Sequence, residues 1–141
     1  MAERAGGPRP SPLVWSLRLS MKTCLIVDDS RIIRKVARRI LEELDFEVAE
    51  AADGSEALTY CRSEMPDAIL LDWVMPVMDG VTFLRQLRGE TGGRSPKVIF
   101  CTAETEPRRI REALAAGADE YMMKPFDGDI LESKLAETGL V

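Results

Sequence analysis

At 141 residues the chain has the length of one ordinary domain, and its 45% apolar and 30% charged residues exclude an intrinsically disordered polymer. The net charge of −5 is uneven: residues 1–20 carry three Arg and one Glu (+2), leaving 16 basic against 23 acidic residues (−7), a poor match for nucleic-acid phosphates. No histidine is present, which removes Ser-His-Asp triads, histidine zinc sites and histidine acid–base chemistry.

The first 20 residues, MAERAGGPRPSPLVWSLRLS, have too short and broken an apolar part for a signal peptide. They read as a flexible N-terminal extension ahead of a domain spanning residues 21–141. Lys22 to Val27 is an apolar strand ending in Asp28-Asp29, and Ser30 caps a helix with Ile33, Val36, Ala37, Ile40, Leu41 and Leu44 at helical spacing. Its basic residues Arg31, Arg34, Lys35, Arg38 and Arg39 read first as a solvated face and second as a partner surface. A second strand covers Phe46 to Ala51. Asp53 and Glu56 then form a capping-box entry to a helix reaching about Ser63. Ala68 to Leu71 is a third strand ending in Asp72, with Trp73 expected as a partly exposed loop aromatic. Gly80 to Arg88 is helical with Val81, Leu84 and Leu87 on one face, and GETGGRSP is a plain connector. Val98 to Cys101 ends at Thr102. Pro107 opens a helix stopped by Gly117, Tyr121 to Met123 ends at Lys124-Pro125, and Asp127 to Glu137 is the last helix.

Five strand-then-helix units with near-continuous apolar strands predict a parallel sheet covered by helices on both faces. In such sheets the functional crevice lies beyond the carboxyl ends of the strands. Polar residues collect there: Asp28, Asp29, Asp72, Thr102 and Lys124. Taken alone, Asp28 and Asp29 could be no more than a solvated loop and cap, but five such residues in register are a site. Crowded carboxylates need a counter-charge, and oxygen donors without His or Cys favour Mg²⁺. An Asp carboxylate is an accepted phosphoryl nucleophile, and a lysine, a hydroxyl and a metal can neutralise the charge of the transfer. Cys24, Cys61 and Cys101 have no CxxC spacing and read as small apolar residues of a reduced, cytoplasmic protein. Met75, Met78, Met122 and Met123 read as packing residues.

The motifs LIVDDS (25–30), ILLDWVMPVMDG (69–80), IFCTAE (99–104) and YMMKPF (121–126) resemble, in order and spacing, the CheY-like receiver domain of bacterial two-component response regulators. The resemblance implies a flavodoxin-like (βα)5 three-layer sandwich of strand order 2-1-3-4-5. It implies Asp72 as phosphoryl acceptor. It also implies Mg²⁺ held by Asp29, Asp72 and the Val74 backbone carbonyl, with Asp28 acting through water. Lys124 would pair with the phosphoryl group through a loop with a cis Lys124-Pro125 bond, and Thr102 and Tyr121 would form the switch. Gly80 resembles the family's turn glycine. Val74 departs from the polar side chain common at its position, so altered autodephosphorylation is expected; a phosphate lifetime unchanged in Val74→Asn would count against this. Glu104 is expected to tune the same lifetime.

The implied function is that of a stand-alone response regulator, a phosphoacceptor rather than a turnover enzyme. It would be loaded by a sensor histidine kinase or a histidine phosphotransfer protein. It would signal to a target protein through the face of the fourth helix, fifth strand and fifth helix, with no direct DNA binding and no membrane contact. Chemotaxis output is favoured over a relay step or a developmental or cell-cycle regulator. Two other classes compete. A Mg²⁺-dependent phosphatase of the haloacid-dehalogenase type would carry a second Asp at position 74, where Val74 stands. A phosphorylation-independent interaction module would not need the five-residue set.

Overall fold

The computed structural model describes residues 21–103 and 105–141; the expected extension at 1–20 and the expected role of Glu104 lie outside them. Ten elements alternate: β1 (Thr23–Val27), α1 (Arg31–Glu43), β2 (Glu47–Ala51), α2 (Gly54–Ser63), β3 (Ala68–Asp72), α3 (Gly80–Arg88), β4 (Lys97–Thr102), α4 (Pro107–Ala115), β5 (Glu120–Met123) and α5 (Gly128–Glu137). The strands form one parallel sheet of order β2-β1-β3-β4-β5.

Strand alternation divides the core into two layers. Leu25, Val27, Ile69, Leu71, Val98 and Phe100 face α2, α3 and α4, meeting Leu58, Val81, Phe83, Leu84, Leu87 and Ala113. Cys24, Ile26, Leu70, Ile99, Cys101 and Met122 face α1 and α5, meeting Ala37, Leu41, Leu131 and Leu135. β3 is buried along its whole length, as a strand with neighbours on both edges and helices on both faces must be. Each Leu or Ile so buried contributes about 1.5–3 kcal/mol. Met75 and Met122 are packing residues as expected.

The helix starts follow the local sequence. Ser30, Asp53, Asp79 and Asp127 each accept a side-chain hydrogen bond from the backbone N–H three residues on. Glu56 reaches back to the N–H of Ala52 at 3.0 Å, completing a variant of the capping box one residue outside the cap. α4 begins with Pro107 in its first turn and has no side-chain cap bond at Glu106. It ends at Gly117, whose φ of 117° lies where residues with a Cβ rarely go.

Three features depart from the sequence reading or add to it. Trp73 is not a partly exposed loop residue: it is 8% exposed, its ring 5.2 Å from Phe100, because the chain beyond β3 turns it into the layer under α4. The basic face of α1 is split. Arg31, Lys35 and Arg39 are exposed, whereas Arg34 and Arg38 both bind Glu50 of β2, at 2.9 and 2.6 Å. The 89–96 connector is fastened by Arg88. Its Nη1 donates to the carbonyls of Gly93 and Pro96, its Nε and Nη2 donate to the Gly117 carbonyl, and Nη2 meets Asp119.

Candidate functional site

All five residues expected at the carboxyl edge are there. Asp28 and Asp29 follow β1, Asp72 closes the adjacent β3, Thr102 closes β4 and Lys124 follows β5. One oxygen from each of Asp28, Asp29 and Asp72 lies within 4.8 Å of the other two. The three are not equivalent. Asp28 is 3% exposed and Asp72 8%, while Asp29 is exposed.

Backbone and side-chain donors fix the buried pair. Asp28 Oδ1 accepts from the N–H of Ser30 at 2.8 Å, so the residue that caps α1 also orients the carboxylate before it. The Asp28 carbonyl accepts from Arg34 Nη1 at 2.6 Å. Asp72 Oδ1 accepts from the N–H of Trp73 at 2.9 Å. Lys124 Nζ reaches both, 2.8 Å from Asp28 Oδ2 and 3.0 Å from Asp72 Oδ1. The strand that delivers Lys124 is held in place by the bond from its N–H to the Thr102 carbonyl, 2.9 Å. The Lys124-Pro125 peptide is cis, as the resemblance implied.

Burial raises Asp72 above the usual carboxylate range and the charge of Asp28 adds to the rise, against the opposing bond from Lys124. Burial alone would pull the Lys124 ammonium down; its bonds to Asp28 and Asp72 outweigh that and hold it above the ordinary lysine range. The ammonium therefore stays charged. Among the described residues no buried side-chain nitrogen or oxygen lacks a partner.

A cleft of about 490 Å³ opens over this edge, walled by Asp72, Trp73, Val74, Thr102, Lys124 and Arg109 among others. Val74 is 79% exposed beside it. Thr102 is buried at its floor. Tyr121 lies further down, opposite Phe100 in the β4–β5 register, half-buried with the Lys134 ammonium 5.4 Å from its ring. Close approach explains Gly80: a Cβ there would collide with the Asp72 carbonyl oxygen and press the Phe100 ring. The donor set fits a hard divalent cation, since it offers three clustered carboxylates. The nearby Cys101 thiol is pushed up to about 12 by burial and is no thiolate ligand.

Sequence reasoning did not find Arg109. Its one available signal was position: it stands two residues after the Pro107 that starts α4, in the turn that follows a strand end. It also missed the Arg34 bond to the Asp28 carbonyl, which depends on the tilt of α1 rather than on any motif.

A parallel sheet of this order with an acidic cluster and a lysine at its carboxyl edge defines a receiver domain of a response regulator. Comparison with known proteins agrees: the chain belongs to the response regulator receiver domain family, whose model matches residues 24–136. Protein CcdB of Bacillus subtilis is 38% identical over 118 residues, covering 83% of this chain and 93% of that protein. Response regulator MprA of Mycobacterium tuberculosis is 43% identical over 102 residues, which are 72% of this chain but only 44% of MprA. Among solved structures, the chemotaxis response regulator CheY4 of Vibrio cholerae superposes with a TM-score of 0.80 at 35% identity, covering 84% of this chain and 98% of that one. A CheY-like receiver domain protein of Methanospirillum hungatei gives 0.77 at 34% identity, over 84% and 94%.

Proposed function

We propose that the chain is a phosphoacceptor that takes a phosphoryl group on Asp72 from a phosphohistidine of a sensor histidine kinase or a histidine phosphotransfer protein. The observation that carries this reading is the Lys124 ammonium shared between Asp28 and Asp72, with Asp29 beside them. Asp72 Oδ1 is engaged by Lys124 and by the Trp73 N–H, so Oδ2 is the attacking oxygen. Its lone pair forms the bond to phosphorus while the P–N bond to the donor imidazole breaks, and the imidazole leaves with the electron pair and takes up a proton. Asp28, Asp29, Asp72 and the Val74 carbonyl would hold Mg²⁺. Bound there, the ion supplies charge neutralisation for the carboxylates and the incoming phosphoryl oxygens. Lys124 meets the transferred group from the side of β5. Val74 has no polar side-chain atom to orient a hydrolytic water, and the proposed consequence is an altered phosphate lifetime.

Thr102 then bonds the phosphoryl group and Tyr121 turns inward, changing the surface of α4, β5 and α5 that binds the target protein. Likeness to a chemotaxis regulator favours that output over a relay, developmental or cell-cycle step. No described helix is long and apolar enough to cross a membrane. A cytoplasmic location is part of this proposal, supported by Cys24, Cys61 and Cys101 being free thiols.

The test is incubation with Mg²⁺ and acetyl phosphate, followed by intact mass and by Trp73 fluorescence. The expected result is one alkali-labile phosphoryl group with a fluorescence change, both lost in Asp72→Asn and without Mg²⁺. Incorporation that survives Asp72→Asn, or none in the unaltered protein, overturns the reading. Pull-down with and without beryllofluoride then sorts target proteins from relay partners.

A further inference from the structure

We infer that Arg34 is a positioning residue for the divalent cation, holding the Asp28-Asp29 peptide so that Asp29 leaves the chain in a fixed direction. The inference rests on the proposed metal role of Asp28, Asp29 and Asp72. These three carboxylates are secured very differently. Asp28 accepts from the Ser30 N–H and from Lys124, and its own N–H donates to the Ala51 carbonyl at 3.1 Å. Asp72 accepts from the Trp73 N–H and from Lys124. Asp29 is exposed, and among the described residues its carboxylate has no hydrogen bond or ion pair. Its place in the cluster is therefore inherited from its backbone.

One bond fixes that backbone. The Asp28 carbonyl belongs to the peptide group that joins Asp28 to Asp29, and Arg34 Nη1 donates to it at 2.6 Å. No other hydrogen bond from a described residue reaches this peptide group. The guanidinium is aimed from β2: its Nε donates to Glu50 Oε1 at 2.9 Å, and Glu50 stands opposite Ile26 in the β1–β2 register. A planar fork serves carboxylate and carbonyl together, which an ammonium on a flexible stem does less well. With the peptide held, Asp29 is ordered before the cation arrives, and binding does not bear that cost. Charge and position act here in opposite senses. Arg34 is a cation beside a cation site, so by Coulomb repulsion its removal tightens Mg²⁺ binding. By position, its removal frees Asp29 and loosens it. The sign of the change separates the two.

The experiment is calorimetric titration of the full chain with Mg²⁺, for the unaltered protein and for Arg34→Gln, Arg34→Lys, Arg38→Gln and Asp29→Asn, each checked for folding by urea unfolding. Arg34→Gln is expected to raise the Mg²⁺ half-saturation about tenfold and Arg34→Lys about threefold, the range of a group that orients a metal's ligands without touching the metal. Arg38→Gln removes the same charge and the same Glu50 partner but no bond to Asp28, so its half-saturation should be unchanged or lower. A half-saturation for Arg34→Gln within about twofold of the unaltered protein, or below it, overturns the inference. If that variant does not fold, Arg34→Lys is held to the same limit. An equal weakening in Arg38→Gln also overturns it, because the α1–β2 contact as a whole would then be responsible. If the unaltered protein binds no Mg²⁺, or Asp29→Asn binds it equally well, the metal reading itself falls and the inference with it.

Discussion

Lys124 and Gly80 show how little tolerance the carboxyl edge has for a single changed atom. The ammonium lies within 3.0 Å of two buried carboxylates, so it is the internal counter-ion of the site. Gly80 is needed for a different reason. Alanine there would gain about 1 kcal/mol of helix propensity, but its Cβ would meet the Asp72 carbonyl and the Phe100 ring. Backbone on one side and a close-packed ring on the other cannot yield cheaply, so the clash wins. Gly80→Ala is expected to lose about 1–3 kcal/mol in urea unfolding, and to slow phosphoryl uptake because the displaced atom belongs to Asp72, the proposed acceptor. A variant as stable as the unaltered protein would show that the helix start relaxes without moving Asp72. At this scale the five edge residues were legible because strand ends are legible. Trp73 was misread because a residue just past a strand can turn either way, and only the presence of α4 decides it.

Between elements, the α1–β2 contact carries a pH signature. Glu50 takes bonds from Arg38 and Arg34 at once, and Arg38 also pairs with Glu42 at 2.9 Å. The Arg38 bond, helped by Arg34 and opposed by partial burial, holds Glu50 below the usual carboxylate range. A carboxylate with a depressed folded-state pKa adds stability above its unfolded value of about 4.3 and loses it as the pH falls through the folded value. With Glu50 and Arg38 still partly exposed to screening water, Glu50→Gln is expected to cost about 1 kcal/mol at neutral pH. The difference should shrink below about pH 4.3 and be smaller in high salt. A difference that is flat with pH would mean that packing, not charge, joins α1 to β2. The arginines were visible in the sequence, but their partner was not. Periodicity says which face of α1 is buried; it does not say that β2 lies beside β1, an order that came from the family resemblance.

For the molecule as a whole, the cysteines report on both layers. Cys24 and Cys101 lie in the α1–α5 layer and Cys61 in the α2–α4 layer. Burial pushes Cys61 up to about 11 and Cys101 up to about 12, and raises Cys24 as well with help from neighbouring Cys101. A thiol reagent at pH 8 should leave the native protein unmodified and label all three together across the denaturant transition. Early labelling of Cys61 alone would show that the α2–α4 layer opens separately. The alternation of elements and the identity of the crevice were legible because apolar runs and their polar ends repeat five times. The fastening at the other edge was not, because Arg88 finds its carbonyls only after three separate segments have been brought together.

That fastening gives α4 the mechanics of a lever. Arg88 grips the Gly117 carbonyl and Asp119, and Asp119 in turn takes the N–H of Val98, so the far end of α4 is clamped to β4 and to the end of α3. Its near end, at the cleft, starts without a side-chain cap bond. A pull applied there, as phosphoryl transfer to the proposed acceptor would exert, is expected to turn α4 about a fixed fulcrum rather than slide it along the sheet. The half of α4 next to the cleft would then carry the mechanical stroke and the other half only its bearing.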